Sequence, residues 1–446
     1  MAKSTASSVP SATPASPLET GSGGLRIVWI ALLALFAYLL LYGATATPKD
    51  KDDNEIEVPE SPAFDLSAWF SGVYQDKVET HLKDNSAIGK ELIPLKNQID
   101  YEVFHKLNLN DYIMGKDNWL VATSNIDAYY GRDYMGDSAI SERLRKVKVL
   151  QDTLQRKGID ILLIYVPNKE QVFPEHIPDA YHKYTRHKTN IETYAAKSQE
   201  YGLHYINFLP FFQQLKPISK YPLYPQYGSH WSYYSECLAA DTVIKYIAHL
   251  KQMELPRITW DKVSYPENPK VRDGDAMARC GLLDPPIGFG MAYPQIQYTG
   301  SAMARPVKTL GIGDSYYRGF LYLGVMETVF DKGELWYYYN SVVPESKPLK
   351  EVWEYDLKSK IEEHKMIIIL SNNASLPSMG SGFIEDAYEL YTNPKAYAAR
   401  VLRERPVRQH KKEIHNSPEL LDEALKLSKD RGITLDSAIT LKAHDM

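Results

Sequence analysis

Val307-Lys308-Thr309-Leu310-Gly311-Ile312-Gly313-Asp314-Ser315 is an apolar run that stops at a Gly-Asp-Ser turn, and residues 316–326 behind it have the composition of a helix. Such a serine sits where a strand hands over to a helix. Its hydroxyl is expected at the carboxyl edge of a sheet, with Gly313, Asp314 and the first free N–H groups of the helix on hand for an oxyanion. An acyl-transfer nucleophile needs this arrangement, although an ordinary strand-helix turn can carry the same tripeptide. A serine attacks an acyl carbon only when a base takes its proton. Ser229-His230-Trp231-Ser232, at the entry to the helix-like stretch 233–250, supplies an imidazole. With an ordinary pKa of about 6.5 it suits taking that proton and returning it to a leaving alcohol. The plainer reading of His230 is a satisfied histidine at a helix start.

Working outward, short apolar strands alternate with amphipathic helices. Residues 161–166 read as a buried strand. Residues 141–157 read as a helix with Leu144, Val147, Leu150 and Leu154 on one face, Ser141 as N-cap and Gly158 as its stop. A helix over 188–201 ends at Gly202, before a strand over 203–208. Residues 119–121 and 367–371 add strands, and the tyrosines at 337–339 read as one more, with alternate rings packing. This alternation predicts an α/β fold, an α/β/α sandwich on a mainly parallel sheet. Ligands bind such sheets at the carboxyl ends of the strands, so the loops after Val166, before His230 and after Ile312 converge there. Asn168 and Lys169 thereby become substrate or oxyanion candidates. So do Trp231 beside the histidine and Tyr316 and Arg318 just past the serine, a loop pair and helix packing being the plainer readings.

Composition narrows the class. The chain has 446 residues, is 44% hydrophobic, and carries a net charge of only -5 without a basic block, which argues against a nucleic-acid partner. Cys237 and Cys280 neither demand nor exclude a bridge. No Cys/His metal spacing and no phosphate loop is present, and no cofactor is called for. Among 33 tyrosines, several clusters offer flat rings with polar tips that suit sugar faces, although core packing explains any one of them.

The Ser, Ala, Pro and Thr-rich residues 1–24 read as a disordered cytoplasmic tail. Over 25–46 the only charge is Arg26, and the apolar run is long enough to span a bilayer as an uncleaved anchor, a cleaved signal peptide being the alternative. Arg26 before the span and the acidic stretch after it put the rest of the chain outside the cytoplasm. A polar linker over 47–62 leads to the main domain over 63–380, whose first part is helical. Residues 381–446 form a charged helical extension with a capped helix start at Asn416-Ser417-Pro418-Glu419 and another at Thr434.

Five motifs in order give the chain a family likeness: Gly115-Lys116-Asp117-Asn118-Trp119-Leu120, Tyr165-Val166-Pro167-Asn168-Lys169, Phe173-Pro174-Glu175, Ser229-His230-Trp231-Ser232 and Gly311-Ile312-Gly313-Asp314-Ser315. The chain resembles the periplasmic SGNH-hydrolase-like, DHHW-type proteins of alginate and exopolysaccharide O-acetylation over about residues 64–380. The histidine block preceding the serine block resembles the circularly permuted form of the fold. The likeness implies a periplasm-facing O-acetyltransferase held in the inner membrane by a single pass. It implies a polysaccharide substrate and a multipass membrane-bound O-acyltransferase as partner. One position departs from the pattern. Where the family has Asp-x-His-Trp, this chain has Gly228. Loss of a triad acid lowers turnover by about ten-thousandfold. Another acid, Asp273 or Asp275, substitutes; or a Ser-His dyad works slowly; or the domain is a degenerate polysaccharide-binding subunit. A carbohydrate acetylesterase, with water as acceptor, shares all of these residues.

Overall fold

The computed structural model describes residues 87–267, 270–345 and 349–446, with isolated residues before 87. The anchor expected over 25–46 and the linker over 47–62 lie outside the described residues. Among the described residues, no helix is long and apolar enough to cross a membrane. The chain divides into two compact units, residues 1–99 and 100–446. The first holds most of α1 (Ala87–Phe104).

In the second unit a hairpin of β1 (Tyr112–Met114) and β2 (Leu120–Ala122) leads into α2 (Thr123–Tyr130) and α3 (Asp137–Gln155). The helix α3 starts one turn before Ser141, at Gly136, and its stripe of Leu144, Val147, Leu150 and Leu154 is buried. Each such side chain contributes about 1.5–3 kcal/mol of transfer free energy. Then follow β3 (Asp160–Val166), the short α4 (Lys169–Val172), α5 (Asn190–Glu200), β4 (Tyr205–Asn207), α6 (Phe208–Leu215) and α7 (Tyr233–Lys251). Thr189 and Glu192 cap α5 reciprocally, a box that contributes about 1 kcal/mol. A second hairpin, β5 (Arg257–Ser264) with β6 (Tyr293–Thr299), brackets a loop containing α8 (Asp275–Ala278).

The remaining sheet strands are β7 (Thr309–Gly313), β8 (Glu334–Tyr337), β9 (Ser341–Val343) and β10 (Met366–Asn372). Their sheet runs β4-β3-β10-β7-β8-β9, parallel throughout except for β9 at one edge. Successive residues of β3 alternate between two cores. Leu162, Ile164 and Val166 join Phe208, Phe212 and the inner face of α7 on one side. Ile161, Leu163 and Tyr165 join α3 and α5 on the other. The second unit is therefore an α/β/α sandwich with a mainly parallel sheet, as the alternation of strands and helices requires.

Two local expectations are corrected. The tyrosines at 337–339 do not continue a strand: β8 ends at Tyr337, and Tyr338 and Tyr339 take positive φ of 49° and 53°. Nor is 316–326 one helix. A turn covers Ser315–Tyr317, the helix α9 runs only over Arg318–Tyr322, and Gly324, at φ 75°, breaks the chain before α10 (Val325–Thr328). The last helices, Pro418–Arg431 and Leu435–Asp445, begin at Ser417 and Thr434, whose hydroxyls cap them. Both cysteines are buried.

Candidate active site

The strand β7 lies inside the parallel sheet, between β10 and β8, and delivers Ser315 at its carboxyl end. Its glycines permit a close approach from below. A Cβ at Gly311 would sit 2.4 Å from the Tyr317 hydroxyl, and one at Gly313 would sit 3.0 Å from the Tyr317 Cβ. Asp314 is fully buried and points away from solvent into the sheet edge. It accepts from the Tyr316 N–H at 3.0 Å, the Asn372 N–H at 2.7 Å and the Asn372 side-chain amide at 2.8 Å. Burial raises its pKa, and these donors pull against that rise. Asp314 thus ties the serine turn to the end of β10.

His230 precedes α7, whose N-cap is Ser232. Its Nε2 lies 2.7 Å from the Ser315 Oγ, and its Nδ1 lies 2.7 Å from the Asp275 Oδ2. The other oxygen of Asp275 accepts from the Ser229 N–H at 2.7 Å. The three side chains form a continuous chain of contacts, with the imidazole 14% and the carboxylate 26% exposed. Burial works to raise the Asp275 pKa, yet the His230 hydrogen bond and charge, with the Ser229 and Ala276 N–H groups, outweigh it. The carboxyl is held below its ordinary value. An ionised acid behind one imidazole nitrogen and a hydroxyl before the other is what proton removal from a serine requires.

Of the two acids singled out from the sequence, only Asp275 meets the histidine. Asp273 accepts from the Tyr293 hydroxyl, and burial pushes its pKa up to about 6. Gly228 stands where a side chain has no room. A Cβ there would meet the Pro225 Cγ at 2.6 Å and the Arg272 and Asp273 carbonyl oxygens at 2.9 Å. The segment that supplies Asp275 fills the space that an aspartate side chain at 228 would need.

Several other candidates are placed behind the site. The ammonium of Lys169, on a fully buried side chain, donates to the carbonyls of Gln226 at 3.0 Å and Gly228 at 2.9 Å, so it braces the loop that leads to His230. Its pKa falls to about 8 through burial. Asn168 caps the start of α4 and donates to Asn125 at 2.5 Å. Trp231 is buried against Phe208, Phe212 and Tyr316. Tyr316 is buried too, and its hydroxyl donates to the Ser229 carbonyl at 2.8 Å, steadying the histidine from below. Arg318 stays half-buried one turn past the serine, its guanidinium 4.2 Å from the centre of the Tyr337 ring. These supporting roles escape sequence reading because a polar residue after a strand looks the same whether it faces a ligand or a carbonyl.

One residue at the site was missed altogether. Tyr338 is 44% exposed, its N–H donates to the Gly313 carbonyl at 2.9 Å, and its hydroxyl reaches the Ser315 side chain. Burial of the ring raises its pKa to about 12, so the hydroxyl keeps its proton. The left-handed backbone that aims it costs on the order of 1 kcal/mol for a non-glycine residue and is typical of residues held for function.

Residues 112–297 match the family described as SGNH hydrolase-like domain, acetyltransferase AlgX. Four of the five motifs lie within this match, which bears out the resemblance over those residues. The match takes in His230 and Asp275 and stops short of Ser315. Among particular proteins, the chain is 27% identical over 158 residues to the probable alginate O-acetylase AlgJ of Pseudomonas syringae pv. tomato, covering 35% of this chain and 36% of that relative. The match thus spans about a third of the relative's length. Among solved structures, the O-acetyltransferase domain of Pseudomonas putida AlgJ is 14% identical, covering 62% of this chain and 98% of that one, with a TM-score of 0.40. Pseudomonas aeruginosa AlgX is 17% identical, covering 63% and 67%, with a TM-score of 0.41.

Proposed function

We propose that this protein is a serine O-acetyltransferase that moves an acetyl group onto an exported polysaccharide through an acyl-enzyme on Ser315. The observation that carries this reading is the pair of 2.7 Å contacts running from Ser315 through His230 to Asp275. His230 Nε2 takes the hydroxyl proton as Oγ bonds to the acetyl carbon. Asp275 holds the imidazole in the tautomer with its proton on Nδ1 and stabilises the imidazolium. Collapse of the tetrahedral intermediate expels the donor's leaving group, which receives the proton from His230. A sugar hydroxyl then attacks the acetyl-serine by the same steps in reverse order. His230 preceding Ser315 in the chain fits a circularly permuted SGNH arrangement.

The Tyr316 and Tyr317 N–H groups are taken up by Asp314. The oxyanion therefore falls to the Ser315 N–H and the Tyr338 hydroxyl. Tyr338→Phe should lower kcat by about a hundredfold, as removal of one oxyanion donor does elsewhere, with KM for the acetyl donor little changed. A kcat within twofold of wild type would remove Tyr338 from the reaction.

The likeness to alginate acetylation proteins supports a polysaccharide acceptor. The setting we infer is the periplasm, with the apolar 25–46 stretch as a single-pass inner-membrane anchor and a multipass membrane-bound O-acyltransferase as the source of acetyl groups. Incubation with an activated acetyl ester and uronate or neutral oligosaccharides tests the reading. Acetylated oligosaccharide is expected. Release of acetate alone, at the same rate with and without acceptor, would assign the protein as an esterase.

A further inference from the structure

Asp275 lies on the loop between β5 and β6, and the histidine loop holds it on one side, through the Ser229 N–H on its carboxylate and the Met277 N–H on the Tyr227 carbonyl at 3.1 Å; a second hold acts from behind. Glu236 stands there. It lies on the first turn of α7, with a side chain only 1% exposed, and its carboxyl lies against the guanidinium of Arg272, three residues before Asp275; burial pushes its pKa up to about 8, against the pull of that guanidinium. From the third side comes Gly319, on the helix that follows Ser315. A Cβ there would sit 2.9 Å from both the Cδ and the Oε1 of Glu236. Arg272 also lies over the Tyr322 ring of that helix, at 4.8 Å from its centre. One buried carboxyl thus touches the element behind each of Ser315, His230 and Asp275, and the sequence reading gave it no role.

We propose that Glu236 is a positioning residue that, through Arg272, holds the Asp275-bearing segment in register with His230 and Ser315. A second clip helps, since Tyr293 on β6 receives the Lys270 N–H at 2.7 Å and donates to Asp273. That clip fixes the segment to its own hairpin, whereas Glu236 fixes it to the two elements that carry the base and the nucleophile. Burying an unpaired carboxylate is costly, and breaking a buried pair leaves one charge uncompensated. The pairing therefore specifies where the segment docks more than it adds net stability.

The inference rests on the reading of Asp275 as the acid of the site, and the test separates the two. Glu236→Gln and Arg272→Met are each made in the wild-type and Asp275→Asn backgrounds, and turnover of an activated acetyl ester is followed alongside the melting temperature. With Asp275 present, each substitution should lower kcat by about tenfold to a hundredfold with KM nearly unchanged, the effect of a misplacement on the order of 1 Å. With Asp275→Asn, the same substitutions should cost less than about threefold, since the contact they protect has already gone. Arg272→Lys should restore most of the loss. Equal losses in both backgrounds, or no loss in the first, would overturn the proposal while leaving the acid in place. An unaffected Asp275→Asn protein would instead remove the acid, and the anchor with it.

Discussion

Ser315→Ala is expected to abolish acetyl transfer, with kcat falling by about a millionfold, the scale seen when the nucleophile of a serine relay is removed. The size follows from chemistry, because Ser315 carries the hydroxyl that the imidazole of His230 contacts. The fold should be unaffected. Asp314, rather than Ser315, ties the turn to β10, through bonds of 2.7 Å and 2.8 Å to Asn372. The serine hydroxyl contacts the imidazole and the Tyr338 hydroxyl at the open edge of the sheet. Polymer acetylation and melting temperature, measured on the same preparation, check both halves. Acetylation that persists in the variant would rule out Ser315 as the nucleophile.

The second large effect belongs to Asp275→Asn. The carboxylate accepts two N–H groups, one oxygen from Ser229 and the other from His230. An amide of the same shape has only one acceptor oxygen, so one of those N–H groups must face an NH2. If the backbone contact is kept, the imidazole turns to its other tautomer and its Nε2 carries the proton, leaving it unable to accept one from Ser315. A loss of about ten-thousandfold in kcat, or about 5.5 kcal/mol of barrier, is expected. Steady-state turnover of an activated ester measures it. A loss below tenfold would mean that Ser315 and His230 act as a dyad. The depressed pKa of Asp275 keeps the acid ionised below the ordinary carboxylate range. Asp275 should therefore stay ionised at pH values where an ordinary carboxylate protonates, and a pH–rate profile should show no loss of activity from its protonation in that range.

Much of the fold was legible in the sequence, for physical reasons, and so were the candidates at its site. Buried parallel strands are continuous apolar runs, and β3, β7 and β10 stand out as such. The serine and histidine could be named because each is fixed locally, by a strand end and by a helix start. For the acid, the sequence left Asp273 and Asp275 open as substitutes beside a Ser-His dyad or a degenerate site. Asp273 and Asp275 flank one glycine, and which of them turns to the imidazole depends on how a hairpin loop folds back over Gly228, a contact between distant parts of the chain. The polar residues at the strand ends misled for a related reason. Lys169 and Tyr316 have the chemistry of ligand-binding side chains, but carbonyls of the histidine loop, from Gln226 to Ser229, claim them first. Tyr338 was hidden by its own propensity, since a run of tyrosines reads as strand until a left-handed turn re-aims one of them. The break after Ser315 went unseen because Tyr316 to Leu323 has helical composition throughout, and only Gly324 signals the interruption.

The most direct test of the central claim is mass spectrometry of the purified protein after incubation with an activated acetyl ester, wild type beside Ser315→Ala. A single acetyl adduct that maps to Ser315 in the wild type and is missing from the variant is the predicted result. A folded wild-type protein that gains no adduct and releases no acetate would contradict it, and would make the 2.7 Å chain from Ser315 to Asp275 a relic in a polysaccharide-binding subunit.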